Sequence, residues 1–310
     1  MKISYLPHTK IDKIKWDRCI DNASNGLIYA YSFYLDSMSE NWDALILNDY
    51  EVVMPLTWNK KFRIRYLRQP AFSQQLGVFG NSSVTKNITE SFIYKALQIF
   101  PFAEINLNYG NKYQKSSAKK CNLILSLNKP FADIEKSFRK DLVKKIKSND
   151  LKYGPSDEVE KTINLFKENY STRIHASQND YNNFSKLCFI LKNKEQLFLR
   201  EVSTADGKLL ASAIFFKDSR RIYYIMSVTL PDGRKLQANY FLLYRFIEEF
   251  CEQNLIFDFE GSEIPSIQAF FKKFGPKEQS YPFLKINNLT GWQKAIKKCY
   301  DLYKYDRKNN

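Results

Sequence analysis

The stretch LPDGRKLQANYFLLYRFIEEFCEQNLIFDFEGSEIPSIQAFFKKFGPKEQSYPFLKI, Leu230–Ile286, decides how the chain is read. Asp232-Gly233 is a turn signal, and the residues after it take a helical period. Leu236, Tyr240, Leu243, Phe246, Ile247 and Phe250 fall on one stripe of a helix over 236–252. A short apolar run, Leu255–Phe259, is too brief for a helix and reads as a buried strand. A second helix over 264–274 and a strand at Tyr281–Ile286 complete the order turn, helix, strand, helix, strand.

Upstream of it, helices near 157–169 and 178–191 lead into strands at Gln196–Val202, Leu209–Phe216 and Ile222–Val228. Ala205-Asp206-Gly207 is a hairpin signal between the first two. The same order occurs about 155 residues earlier. Helices near 11–22 and 31–39 precede strands Asp43–Leu47, Glu51–Trp58 and Phe62–Leu67. A helix at 88–100 and strands Ala103–Leu107 and Cys121–Leu127 follow. Only the order of elements repeats, so the pattern is a duplicated fold and not a solenoid of short repeats. Three antiparallel strands, a crossover helix and a strand able to run parallel to the third predict mixed α/β sheets with helices on both faces.

Composition excludes many functions. The 310 residues include 24 Phe and 20 Tyr, enough for a packed interior. No apolar run approaches the ~18 residues of a membrane span, and MKISYLPHTK has no apolar signal core, so a cytoplasmic chain is expected. Five separate cysteines (Cys19, Cys121, Cys188, Cys251, Cys299) read as buried thiols in a reducing compartment. His8 and His175 are the only histidines, which excludes a His-rich metal centre; no metal site is expected. Neither GxxxxGK[ST] nor GxGxxG occurs.

The formal charge of +15 is concentrated: residues 51–150 hold 18 Lys and Arg against 7 Asp and Glu. Lys60, Lys61, Arg63, Arg65 and Arg68 form one group. Lys136, Arg139, Lys140, Lys144, Lys145 and Lys147 form another, with 136, 140, 144 and 147 on one face of an expected helix. Such a region attracts polyanions, tRNA among them, or serves only as a solvated face that keeps the protein soluble.

The order of elements resembles the GNAT acyltransferase fold, and its doubling resembles the Fem-type aminoacyl and peptidyl transferases. The resemblance is sharpest over Leu230–Ile286, where FDFEGS and FFKKFG look Fem-like. It is weaker in VMPLTW (Val53–Trp58) and RQPAFSQQLGVFG (Arg68–Gly80). It implies two tandem GNAT-like units: residues 1–128 on the acceptor side, and 129–310, ending in a C-terminal helix, on the donor side. It also implies N-acyl transfer from an acyl-CoA-like donor to an amine. The Fem-type alternative uses aminoacyl-tRNA and a peptidoglycan precursor; a third possibility is a non-catalytic unit that recognises such a ligand.

In this superfamily a helix N-terminus receives the donor's pyrophosphate, which places Arg234, Lys235, Gln237, Ala238 and Asn239 at the donor. The usual two glycines are here Gln237 and Asn239, and the usual tyrosine acid is Phe271. Backbone amides of Ile222–Val228, where that strand splays from Leu255–Phe259, are the implied oxyanion donors. Glu260 is the candidate base, with Asp258 two residues away on the same side of an extended strand. Tyr223 and Tyr224 are candidate acids or positioners. Arg68, Gln69, Gln74 and Gln75 either hydrogen-bond an acceptor or satisfy backbone where the units meet.

Overall fold

The structure, a computed structural model, describes residues 2–80, 84–148, 150–171, 176–261, 263–291 and 294. His175, Cys299, Ser262 and the expected C-terminal helix beyond residue 294 lie outside the described residues.

The first half opens with a short strand β1 (Ile3–Leu6), α1 (Lys13–Asn22) and α2 (Ser32–Met38). Asp12 caps α1 by accepting from the amides of Ile14 and Lys15. The meander β2 (Trp42–Leu47), β3 (Val52–Lys61) and β4 (Ile64–Arg68) follows, with β5 (Phe79–Gly80) paired to β3. α3 (Lys86–Ile99), capped by the Thr85 hydroxyl, crosses over to β6 (Phe102–Asn106), which lies parallel to β4. β7 (Ala118–Ser126) ends this half.

Two short helices come next, α4 (Phe131–Glu135) and α5 (Lys140–Lys147), then β8 (Lys152–Pro155). The second half repeats the order with α6 (Val159–Tyr170), α7 (Gln178–Asn193), β9 (Leu197–Ser203), β10 (Leu209–Lys217) and β11 (Arg221–Thr229). α7 starts on a capping box between Ser177 and Asp180. α8 (Pro231–Lys235), α9 (Ala238–Glu249), β12 (Ile256–Asp258), α10 (Pro265–Lys272) and β13 (Lys277–Asn287) complete it. The strands and helices expected in the two repeated units are present within a few residues, and the mixed α/β class stands.

The two halves share one sheet, in the order β1-β2-β3-β4-β6-β13-β7-β12-β11-β10-β9-β8. β13, from the end of the chain, pairs with β6 of the first half; β7, from the first half, pairs with β12 of the second. The closing strands are thus exchanged, and they meet each other antiparallel over Lys277–Phe283 and Ala118–Ile124. The backbone groups of the seam are paired within a ladder, as buried backbone requires.

Apolar side chains fill three regions. One lies under α3 in the first half. One lies on one face of the second half, beneath α9, α5 and α10. The third spans both halves, joining Tyr29 and Tyr34 to Phe216 and Tyr223. The basic helix expected over 136–147 is interrupted: α4 stops at Glu135 and α5 begins at Lys140. Lys136 therefore does not share a helical face with Lys140, Lys144 and Lys147. Phe138 explains the break, since it turns inward against Phe131, Phe274 and Tyr244.

Candidate functional site

β11 and β12 run parallel over only three pairs, Arg221 with Ile256, Ile222 with Phe257 and Tyr223 with Asp258. β11 continues to Thr229 while β12 stops at Asp258, so a notch opens along that edge of β11. A bulge sharpens it: Ile214 faces Met226 but Phe215 faces Tyr224, which leaves Ile225 as an extra residue.

α9 starts beside this edge. Its N-cap, Gln237, holds a left-handed conformation at φ 57°, and no side chain caps the helix. Asn239, in the place of a usual glycine, turns its side chain inward and accepts from the Tyr224 hydroxyl at 2.8 Å. Ala238 is buried beneath the helix start. Arg234 donates to the Thr229 carbonyl at 3.1 Å, and Lys235 pairs with Asp232 at 3.0 Å. Gly233 serves packing: a Cβ there would collide with the Leu210 carbonyl, so only glycine lets α8 rest on β10.

Burial pushes the Tyr224 phenol well above its ordinary value, opposed by hydrogen bonds to Ser227 and Asn239. It stays protonated, on the α9 face. Phe271 packs against it at 6.0 Å and against Phe259 at 5.1 Å.

A polar cluster lies on the opposite face. Asp258 is buried with Arg221, their side chains 2% and 4% exposed, at an ion-pair distance of 2.7 Å. Asn122 on β7 donates to both Asp258 oxygens at 2.9 and 3.0 Å, and the Glu260 amide donates to Oδ1 at 2.9 Å. The Arg221 guanidinium also lies 4.9 Å over the Tyr109 ring. This carboxylate is saturated with donors, as a buried charge must be, and acts as a clamp between β7, β11 and β12.

Glu260 is placed differently. Strand geometry ends at Asp258, and Glu260 has φ 61°, so the expectation that the two carboxylates share a side through strand alternation does not hold. Gly261 follows at φ 42°, where a Cβ would collide with the Cys121 carbonyl. This tight, left-handed pair turns the Glu260 carboxyl inward. Its Oε1 is buried and has no hydrogen-bond partner. Burial raises the Glu260 carboxyl to about 8. Tyr281 on β13 stands near enough that the charges of Glu260, Glu263 and Asp258 add to the burial that raises its phenol.

The glutamine loop reaches the same cluster from the first half. Gln74 donates to Asn122 Oδ1 at 3.3 Å and accepts from Gln75 at 2.6 Å, while Gln75 accepts from the Tyr109 amide at 2.8 Å. Gln69 accepts from the Asn106 amide at 3.0 Å and donates to the Ser73 carbonyl at 2.9 Å. These contacts satisfy backbone within the first half, and Gln74 reaches the second half only through Asn122, which donates to Asp258. Arg68 stands apart, exposed in a separate cleft of about 200 Å³ with Trp58, Glu40 and Asp180. Tyr223 points the same way as Asp258; its hydroxyl donates to Asp218 at 2.6 Å and accepts from the Ile28 amide at 3.1 Å.

Arg221, Asn122 and Tyr109 belong to the cluster and were not singled out in the sequence. The signal was there in part: a lone Arg opening RIYYIMSV and a lone Asn inside CNLIL are polar residues on strands otherwise apolar.

The acetyltransferase (GNAT) domain family matches residues 136–267, from α5 through the start of α10. Across the whole chain, the crystal structure of FemX is similar with a TM-score of 0.66 at 13% identity, covering 93% of this chain and 98% of that one. The chain has a GNAT fold and resembles FemX in overall architecture. A conserved protein of unknown function from Bacteroides thetaiotaomicron is similar at a TM-score of 0.55 and 13% identity, covering 91% of this chain and 99% of that one. So is the C-terminal domain of a protein assigned as a lysylphosphatidylglycerol synthetase from Agrobacterium fabrum, at 0.53 and 13%, covering 94% and 96%. No curated protein matches the chain. The chain has no described helix long and apolar enough to cross a membrane.

Proposed function

We propose that the protein is an N-acyltransferase that moves an acyl group from an acyl-CoA-like donor to an amine. Residues 1–128 form the acceptor side in this reading, and 129–310 the donor side. The observation that carries it is the bulged edge of β11, past which β12 ends, beside the uncapped start of α9, with the buried Oε1 of Glu260 lacking a hydrogen-bond partner just past β12. The α9 amides, with Arg234, Lys235, Gln237 and Asn239, suit a diphosphate. Amides of β11 past Tyr223, on the edge beyond the end of β12, suit the oxyanion of a tetrahedral intermediate.

The amine attacks the thioester carbonyl; a C–N bond forms as the C–S bond breaks. The amine's proton passes to Glu260, which returns it to the departing thiolate. A carboxyl near 8 is matched to that exchange at neutral to mildly alkaline pH. Asp258 and Tyr224 act as positioning groups, the first through Arg221 and Asn122, the second through Asn239. Gln74 and Gln75 hold the acceptor side against this cluster, and Arg68 contacts the acceptor from its own cleft.

A second reading, transfer from aminoacyl-tRNA to a peptidoglycan precursor, is favoured by Gln237 and Asn239 standing where glycines suit coenzyme A, and by the basic 51–150 region. One experiment separates them. Thermal stabilisation is measured with acetyl-CoA and with charged tRNA, and free thiol release is followed after adding primary amines. Saturable stabilisation by acetyl-CoA, with release that falls ~10²–10⁴-fold in Glu260→Gln, supports the thioester reading. Stabilisation by charged tRNA alone supports the second, and stabilisation by neither defeats both.

A further inference from the structure

The hairpin joining β3 to β4 is built against its own stability. Lys60 pairs with Arg65 and Lys61 with Ile64, so Phe62 and Arg63 are the two central residues of a two-residue turn. Both have positive φ, 46° and 64°, a conformation that hairpins normally give to Asn-Gly. Lys60 and Arg65 are directly opposite, and like charges so placed repel across the strands. Phe62, at the turn, is 51% exposed.

Lys60 to Arg65 thus contain four cations, no acid and one exposed ring. Two adjacent non-glycine residues at positive φ, a pair of like charges facing each other and an exposed ring fall within six residues, and such concentrations mark functional surfaces. Arg65 is anchored, its guanidinium 5.4 Å over Trp58 and 5.2 Å over Phe100. The strand that carries the tip is therefore held firmly to the body of the first half.

We propose that this tip docks on an anionic lipid surface, Phe62 entering the boundary between headgroups and acyl chains while Lys60, Lys61 and Arg63 lie against lipid phosphates. Lipid relieves both electrostatic repulsion and apolar exposure at once. A nucleic acid relieves only the first. Single strands bind on successive aromatic platforms, and the hairpin's other rings are already engaged, Tyr66 edge-on by Phe102 at 6.2 Å and Trp58 beneath the Arg65 guanidinium. The inference stands independently of the donor and acceptor proposed above.

The test is co-sedimentation of the full chain with vesicles of phosphatidylcholine alone and of phosphatidylcholine mixed with phosphatidylglycerol, at low and high salt. Binding to the anionic vesicles only, weakened by salt, is expected. Phe62→Asn suits the left-handed turn, so its melting temperature is expected to equal or exceed that of the parent, while binding falls roughly tenfold or more. Lys60→Gln is expected to lose roughly fivefold. Equal binding to neutral vesicles, no binding to either, or an unchanged Phe62→Asn overturns the proposal. So does binding of tRNA that depends on Phe62 in a chain that leaves anionic vesicles untouched.

Discussion

Glu260 makes the pH dependence of stability a direct probe of the site. Its carboxyl is raised from 4.5 to about 8 by burial alone, with no cation or donor on Oε1. The sign follows from proton counting. Between about 4.5 and 8 the folded chain holds a proton that the unfolded chain has released, so stability falls as pH rises through that window. Linkage at 1.36 kcal/mol per unit gives a loss of about 1 kcal/mol at pH 5, about 3 at pH 7 and nearly 5 at pH 9. The amide of the Glu260→Gln variant has the shape of the protonated acid and no charge to desolvate. Urea unfolding followed by circular dichroism at pH 5, 7 and 9 reads the difference. The variant is expected to gain on the parent by about 4 kcal/mol between pH 5 and 9. Equal slopes in the two proteins would show that the carboxyl is solvated or paired, and the base assigned to the site would then lose its physical ground. An arrangement that lowers stability at working pH is one that folding alone does not favour, so confirmation would also strengthen a catalytic role.

The buried pair is tested by removing one partner. Arg221→Met leaves the Asp258 carboxylate with only Asn122 and the Glu260 amide as donors, and is expected to cost roughly 3–5 kcal/mol. Denaturation midpoints check this, and Arg221→Met with Asp258→Asn is expected to recover much of the loss. Phe271→Tyr restores the superfamily's phenol in name only. Its hydroxyl enters the packed ring cluster of Tyr224, Phe259 and Phe270, so a loss of roughly 1–3 kcal/mol in stability and no gain in turnover are expected.

The fold was legible because its signals are local. The stripe from Leu236 to Phe250 and the short apolar run at Leu255–Phe259 specify their elements without knowledge of partners, and both appear where the periodicity places them. The exchange of closing strands was not legible, since Cys121–Leu127 and Tyr281–Ile286 are both apolar, similar in length and able to pair with either β6 or β12. Their choice depends on which edge each connection reaches. The site divides in the same way. The positions of β11 and α9 follow from local signals; the early end of β12 does not, since the sequence reads Leu255–Phe259 as a strand of five residues and the structure keeps only Ile256–Asp258. The Arg221–Asp258–Asn122 clamp does not follow, because its members are 37 and 136 residues apart and meet only when β7 crosses into the second half. That crossing is the step on which the candidate site rests. With β7 next to its own half's β6, Asn122 would leave Asp258, Cys121 would not press on Gly261, and the turn that buries Glu260 would have nothing to fold against. The duplicated fold thus gains the raised carboxyl of Glu260 from the contact between its two halves.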